Sequence, residues 1–378
     1  MDAGYQSIDY KGTKVGGIAG NGASTSQINF RGSEDLGGGL KANFRVETDW
    51  NTASNKGNTG FVNGTTSGTA ATAGSVYYAN ANSGGGTFGN GELRVGLSGG
   101  FGAIDLGAPN NFSLDANLTG QPFGTAIGSG FRGLTRTDSG TMAASGVRFD
   151  NSVRYVSPSF NGVTAGLLYV KKNAKANAGA AATSGTYSQA FDFSTALGAY
   201  DFAGVQELAL KYNNGPINVA FANQVTNAID IENLVGAAGY TKRTMNTLGA
   251  NYTFSNGLKA FVHTQDLQNK TAAGVTANKT GYYAVGASYT MGAHSLMAQT
   301  GEYKFKETNS TSGATLALLG KKSTISALGY NYALSKRTTV YARYEIIDDK
   351  AGAITKVATL DSTDTKRTRT ALGLTHSF

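Results

Sequence analysis

No cysteine occurs in the 378 residues, which removes disulfides, thiol nucleophiles and thiolate metal sites together. Proline is scarce, with 4 residues against 53 glycines. Charged side chains make up 15% of the chain, below the roughly 25% of an average globular domain. Tryptophan occurs once, at Trp50, while tyrosine and phenylalanine number 19 and 18. No apolar run reaches the roughly 18 residues that a transmembrane helix needs, so such a helix is excluded. A length that suggests two or three soluble domains thus comes with a composition that argues against them. Low charge and a mean hydropathy of −0.22 fit either a large all-β protein or a membrane barrel. The strands of a barrel alternate and never look hydrophobic on a window average.

Alternation is what the chain does have. Segments of about 10 residues with period-2 patterning, long enough for a tilted strand to cross a membrane, lie at 2–10, 26–32, 39–49, 92–98, 102–108, 151–157, 163–171, 206–213, 217–225, 243–254, 258–267, 280–290, 295–304, 324–333, 338–347 and 369–378. In the third, Leu40, Ala42, Phe44 and Val46 alternate with Lys41, Asn43, Arg45 and Glu47. In the last, Leu372, Leu374 and Phe378 share one face, and Arg369, Gly373 and Ser377 the other. Successive side chains on a strand point to opposite faces, so each segment has one apolar and one polar face. Tyrosines recur near the segment ends, among them Tyr155, Tyr169, Tyr252, Tyr283 and Tyr344, as in the aromatic girdles at bilayer interfaces.

The connections alternate too. Those at 33–38, 99–101, 158–162, 214–216, 255–257, 291–294 and 334–337 are short, and most hold Gly, Asn or Ser, as tight turns require. Those at 11–25, 50–91, 109–150, 172–205, 226–242, 268–279, 305–323 and 348–368 are long and rich in small polar residues. All short turns fall at one end of the strands and all long loops at the other, the asymmetry of outer-membrane barrels with periplasmic turns and extracellular loops. A soluble sandwich would not confine its long loops to alternate connections. In lipid an open edge would leave a row of backbone groups unpaired, so the sheet must close, first strand on last. The expectation is a single domain over residues 1–378, a sixteen-stranded antiparallel transmembrane β-barrel with a lumen too wide for side chains to fill.

Four segments resemble the general bacterial porins, in particular those of β-proteobacteria. Ser33-Glu34-Asp35-Leu36-Gly37-Gly38-Gly39-Leu40-Lys41-Ala42 is similar to their first turn. Gly99-Gly100-Phe101-Gly102-Ala103-Ile104-Asp105-Leu106-Gly107 is similar to their second turn and fifth strand. Asn151-Ser152-Val153-Arg154-Tyr155-Val156-Ser157-Pro158 is similar to their sixth strand, and the chain ends at Phe378, like the terminal aromatic read by the barrel-insertion machinery. The spacing fits along the whole chain. This resemblance implies a homotrimer of independently conducting barrels in the outer membrane, surrounded by lipid and lipopolysaccharide. It also implies that the third loop, 109–150, folds into the lumen as a constriction. There Gln121-Pro122-Phe123-Gly124 resembles a Pro-Glu-Phe-Gly motif without its Glu, which argues against an acidic, cation-favouring eyelet. Asp2-Ala3-Gly4 aligns several residues inside the family's first strand, so the native protein is expected to carry the start of that strand and a signal peptide before it.

The net charge is +8, which suits nucleic acid, acidic lipid or anionic solutes. Placement on the polar faces decides between them. Arg31, Lys41, Arg45, Arg94, Arg154, Arg343 and Arg369 outnumber Glu47, Glu92, Asp105 and Glu345 there. The third loop adds Arg132, Arg136 and Arg148 against Asp115, Asp138 and Asp150. Each Arg alone could be a wall residue paired with a neighbouring acid, but the excess is collective, and basic rings in a narrow channel favour anions. The expected constriction residues are Arg94, Arg154, Arg132 and Arg136, with Arg45 and Lys41 on the wall and Asp115 as the loop's counter-charge.

Other chemistries lack their residues. Glycine-rich 83–89 has neither the strand before nor the helix and Lys-Ser/Thr end of a phosphate loop. His263, His294 and His376 are too scattered for zinc, and the Ser neighbours of His294 and His376 point to the opposite strand face, so no hydrolase pair forms. Basic residues are dispersed and no nucleic-acid motif appears. The expected function is passive diffusion of small hydrophilic solutes, anions preferentially, without cofactor, metal or catalysis. A substrate-specific channel is the alternative on the same fold; a barrel adhesin and an outer-membrane enzyme are alternatives of other classes.

Overall fold

The computed structural model describes residues 1–10, 13–50, 52–53, 88–89, 91–131, 147–149, 151–170, 204–227, 240–271, 273–311, 313–351 and 365–378. Its strands are β1 (Asp2–Tyr10), β2 (Thr13–Ala19), β3 (Ser26–Gly37), β4 (Leu40–Trp50), β5 (Leu93–Gly99), β6 (Gly102–Ala108), β7 (Ser152–Val156), β8 (Val163–Val170) and β9 (Gly204–Asn214). They continue as β10 (Ile217–Asn227), β11 (Tyr240–Thr253), β12 (Leu258–Thr271), β13 (Thr276–Met291), β14 (His294–Thr308), β15 (Lys322–Ala333), β16 (Thr338–Asp349) and β17 (Lys366–His376). Among the described residues two helices occur in loops, α1 (Phe112–Thr119) and the single-turn α2 (Gly313–Leu316).

From β3 to β17 each strand pairs antiparallel with the next. β17 then pairs with β1, from Asp2↔Thr375 to Tyr10↔Arg367, the first-to-last ladder that a barrel requires. All sixteen expected strands are present. The seventeenth, β2, lies in what the sequence pattern assigns to the first long loop; it pairs with β1 from Gly4↔Ala19 to Tyr10↔Thr13. Gly16 and Gly17 interrupt its alternation, which hid it. Asp2 ties this region to the start of β3: its carboxylate accepts from the Ala23 and Ser24 amides at 2.8 and 2.7 Å, and its own amide donates to Ser26 Oγ at 2.7 Å.

Exposure on the strands runs opposite to that of a soluble protein. Leu372, Leu328 and Val95 are 67%, 61% and 58% exposed, whereas Glu207 and Glu345 are fully buried. A sheet that turns its aliphatic side chains outward over a continuous band and its charges inward is built for lipid outside and polar contents inside. The turn end is tight. Gly37, Gly38 and Gly39 take φ of +83°, +59° and +80°, a run that side chains would strain, and this lets β3 reverse into β4 within the Glu-Asp-Leu-Gly segment.

Candidate functional site

The third loop enters the lumen as a helix. Asn111 caps α1, its side chain accepting from the Leu114 amide at 2.8 Å, and Gly120 ends it. The helix is fixed to the wall by Glu207 of β9, whose carboxylate accepts from Phe112 N at 2.8 Å, Ser113 N at 3.2 Å, Ser113 Oγ at 2.6 Å and Gln224 Nε2 at 2.8 Å. Free amides and the positive end of the helix dipole satisfy this buried anion. Phe112 packs into a cluster of Leu168, Val170, Val205 and Ala222.

Inward-facing glycines give the loop its bed. A Cβ at Gly166 would lie 2.4 Å from the Phe112 ring, and one at Gly249 only 1.9 Å from the Ala116 carbonyl oxygen. Further along, Pro122 lies over Gly286 and Phe123 over Gly329. Phe123 is buried with Met297 and Ala327, and Gly124 takes φ +59°. Asn251 donates to Thr119 O at 2.8 Å, Gln299 to Ser129 O at 3.3 Å, and Gly128 N to the Glu345 carboxylate at 2.9 Å. The segment 112–129 thus runs along the inner wall from β8 to β16. Asn110 and Arg148, at the loop's two ends, form an isolated bridge.

On β4 to β7 the charges form one alternating ladder. Arg148 contacts Asp49 at 3.7 Å and Glu47 at 2.9 Å; Glu47 also pairs with Arg45. Arg45 reaches Glu92 at 2.9 Å, Glu92 meets Arg94 at 3.0 Å, and Arg94 meets Asp105 at 2.6 Å. Arg154 closes the series on Asp105 at 3.7 Å and Asp115 at 3.4 Å, with its guanidinium 4.3 Å above the Phe112 ring. Burial raises the Asp115 carboxyl above the usual aspartate range; Arg154 and Lys211 pull it back and Glu92 pushes it further.

A second group lies on β16 and β17. Arg369 and Arg367 bind Glu345 at 2.7 and 3.2 Å. Arg343 bonds to neutral groups, the Tyr330 carbonyl at 3.0 Å and Asn331 Oδ1 at 2.8 Å, with its guanidinium 6.0 Å from the Phe123 ring centroid.

The structure therefore brings Arg45, Arg94, Arg154 and Asp115 together, each ion-paired. Lys41 stands apart, exposed beside the first turn and opposite Asp35 in register. Arg132 and Arg136 lie outside the described residues. Phe378 is exposed, its ring edge-on to His376 at 4.9 Å. Sequence reasoning missed Glu207, although its inward phase in β9 marks it as a charge facing the lumen.

A profile of the Gram-negative porins matches residues 1–352. The outer membrane porin protein 32 of Delftia acidovorans is 29% identical over 356 residues, covering 92% of this chain and 81% of that protein. An outer membrane porin of Bordetella pertussis is 28% identical over 380 residues, covering 93% of this chain and 82% of its own length. Among solved structures, an anion-selective porin from Comamonas acidovorans superposes with a TM-score of 0.69 at 25% identity, covering 100% of this chain and 97% of that one. The Salmonella typhi OmpF, at 16% identity and a TM-score of 0.60, shares the fold. Inward charges, an outward aliphatic band, a wall-docked third loop and these matches agree: the chain belongs to the Gram-negative porins, β-barrels of the outer membrane.

Proposed function

We propose that the barrel conducts small hydrophilic solutes passively, prefers anions, and assembles as a homotrimer of independently conducting barrels amid outer-membrane lipid and lipopolysaccharide. The observation that carries the reading is the third loop laid along a charged inner wall. It narrows the lumen and leaves the solute facing fixed charges in a low-dielectric frame, where their field is focused. The cationic excess lies on β16 and β17, where Arg343, Arg367 and Arg369 stand against the inward carboxylates Glu345 and Asp349, while the β4–β7 ladder sets four guanidinium groups against five carboxylates, of which Asp115 is raised by burial. The anion-selective Comamonas acidovorans porin, similar over its whole length, supports the same sign. The pore-lining assignment rests on Arg45, Arg94, Arg154 and Asp115 as a rigid polar wall, and on Arg343 as the cation with neutral partners.

The test is the zero-current potential of purified protein in a planar bilayer under a tenfold KCl gradient. Stepwise conductance in threes with a chloride-signed potential is expected. A cation-signed potential refutes the charge assignment, saturable block by one solute class favours a specific channel, and absent conductance removes the channel reading.

A further inference from the structure

Between α1 and the turns the inner wall holds a hollow of about 390 Å³, within the roughly 300–1,000 Å³ of small-molecule sites. Its position follows from the registers. Glu207 fixes the start of α1 on the row Arg154–Leu168–Glu207. The next inward row toward the turns is Val156–Gly166–Ala209, and the one after it is Thr164–Lys211–Ala220. Alternation turns both rows to the lumen. Gly, Ala and Thr are small, so the wall falls away beneath the helix, where Phe112 and Asp115 overhang it. The charged side chains lining the hollow are Asp115, Arg154 and Lys211. Arg154 is already shared between Asp105 and Asp115, at 3.7 and 3.4 Å. Lys211 is exposed to the lumen and has no ion pair among the described residues. It is therefore the charge available to an incoming anion. Thr164 lies opposite it in register, and Asn213 follows it on the same face of β9. Phe112, Val156, Ala209 and Ala220 make the rest of the lining apolar.

We infer that this hollow is a subsite for a monocarboxylate with an apolar body, of which a one-ring aromatic acid is the simplest. The carboxylate takes a charge-assisted hydrogen bond from Lys211, and the ring lies against Phe112, Val156 and Ala220. Other solute classes fit less well. An inorganic anion would leave the apolar part of the lining unused. The second charge of a dianion would face that apolar part or the Asp115 carboxylate. A sugar would leave most of its hydroxyls without partners there, at the cost of their lost hydration. The inference deepens the channel reading by naming a solute class, and its part in transport rests on that reading. Binding in the hollow does not.

The test measures binding of benzoate to the full-length protein in neutral detergent micelles by saturation-transfer NMR. The comparison compounds are acetate, which lacks the ring, benzyl alcohol, which lacks the charge, and phthalate, which carries a second one. The variants are Lys211→Gln, the charge-keeping Lys211→Arg, and Ala209→Leu, which fills the hollow. Benzoate is expected to bind about tenfold more tightly than each comparison compound, the worth of one charge-assisted hydrogen bond or of the buried ring. Lys211→Gln should weaken it about tenfold, Lys211→Arg should keep it, and Ala209→Leu should abolish it. Wild-type protein that binds benzoate no better than acetate overturns the subsite, as do Lys211→Gln and Ala209→Leu variants that both bind it unchanged. Tighter binding of phthalate would make the hollow a site of charge alone and overturn the part given to the ring. The expected ranking in a protein with a cation-signed zero-current potential would support the subsite and remove only the anion preference.

Discussion

Glu207 is the residue on which the third loop hangs. Substituting Glu207→Ala strands three loop donors, Phe112 N, Ser113 N and Ser113 Oγ, now held at 2.8, 3.2 and 2.6 Å. Hydrogen bonds to a charged group contribute about 1.5–3 kcal/mol, and an unsatisfied buried donor costs about 1–3 kcal/mol. With some of the three recovering water from the lumen, the docked helix loses about 3–5 kcal/mol. The Phe112 side chain, buried among Leu168, Val170, Val205 and Ala222, retains about 2–3 kcal/mol, so the loop still visits the wall but no longer stays. The barrel keeps its ladders, and heat-modifiability on gels should change little. Single-channel records should show larger and noisier conductance, and added protease should cleave within 109–150 while sparing the barrel. Unchanged noise together with unchanged cleavage would refute the anchoring role of Glu207.

Further outcomes follow from the same geometry. Gly249→Val sets a Cβ where Ala116 O lies 1.9 Å away, against backbone that has nowhere to move; the folded barrel should show an altered conductance level, read in single channels. The Asp115 carboxyl is raised chiefly by burial, so it takes up a proton at higher pH than an ordinary aspartate; falling pH removes a negative charge beside Arg154, anion preference should rise, and Asp115→Asn should flatten that pH profile of the zero-current potential. Arg343→Gln removes a cation whose partners are the neutral Tyr330 carbonyl and Asn331, and should move the zero-current potential toward potassium.

The strands were legible because membrane strands obey a two-residue period without compensation: Leu40, Ala42, Phe44 and Val46 can only face lipid together. β2 was not, since Gly16 and Gly17 carry no side chain to declare a face. Helix α1 was hidden for a different reason. Eight residues are too few for a helical period to emerge, and only its ends, Asn111 and Gly120, carry a signal. The charged residues of β4 to β7 were visible individually, and pairing was foreseen as the ordinary state of any one of them. What the pattern could not show is that the pairs form a single ladder, because Glu92 lies far in sequence from Arg45, and Arg148 far from Glu47 and Asp49. Glu207 and the glycine bed at Gly166 and Gly249 make sense only once a second segment is laid over them.

The ladder also shows how the sheet handles like charges on its inner face. Arg45 and Arg94 are directly opposed across β4 and β5, and two like charges about 5 Å apart repel by roughly 3 kcal/mol at an effective dielectric constant of 20. Inside the barrel Glu92 resolves this by contacting both, at 2.9 and 3.0 Å. Glu92→Gln should therefore cost stability rather than simply add a positive charge to the lumen. The expected result is a lowered unfolding temperature with a modest gain in anion preference, whereas a large gain at full stability would mean that the two guanidinium groups were never in need of a bridge.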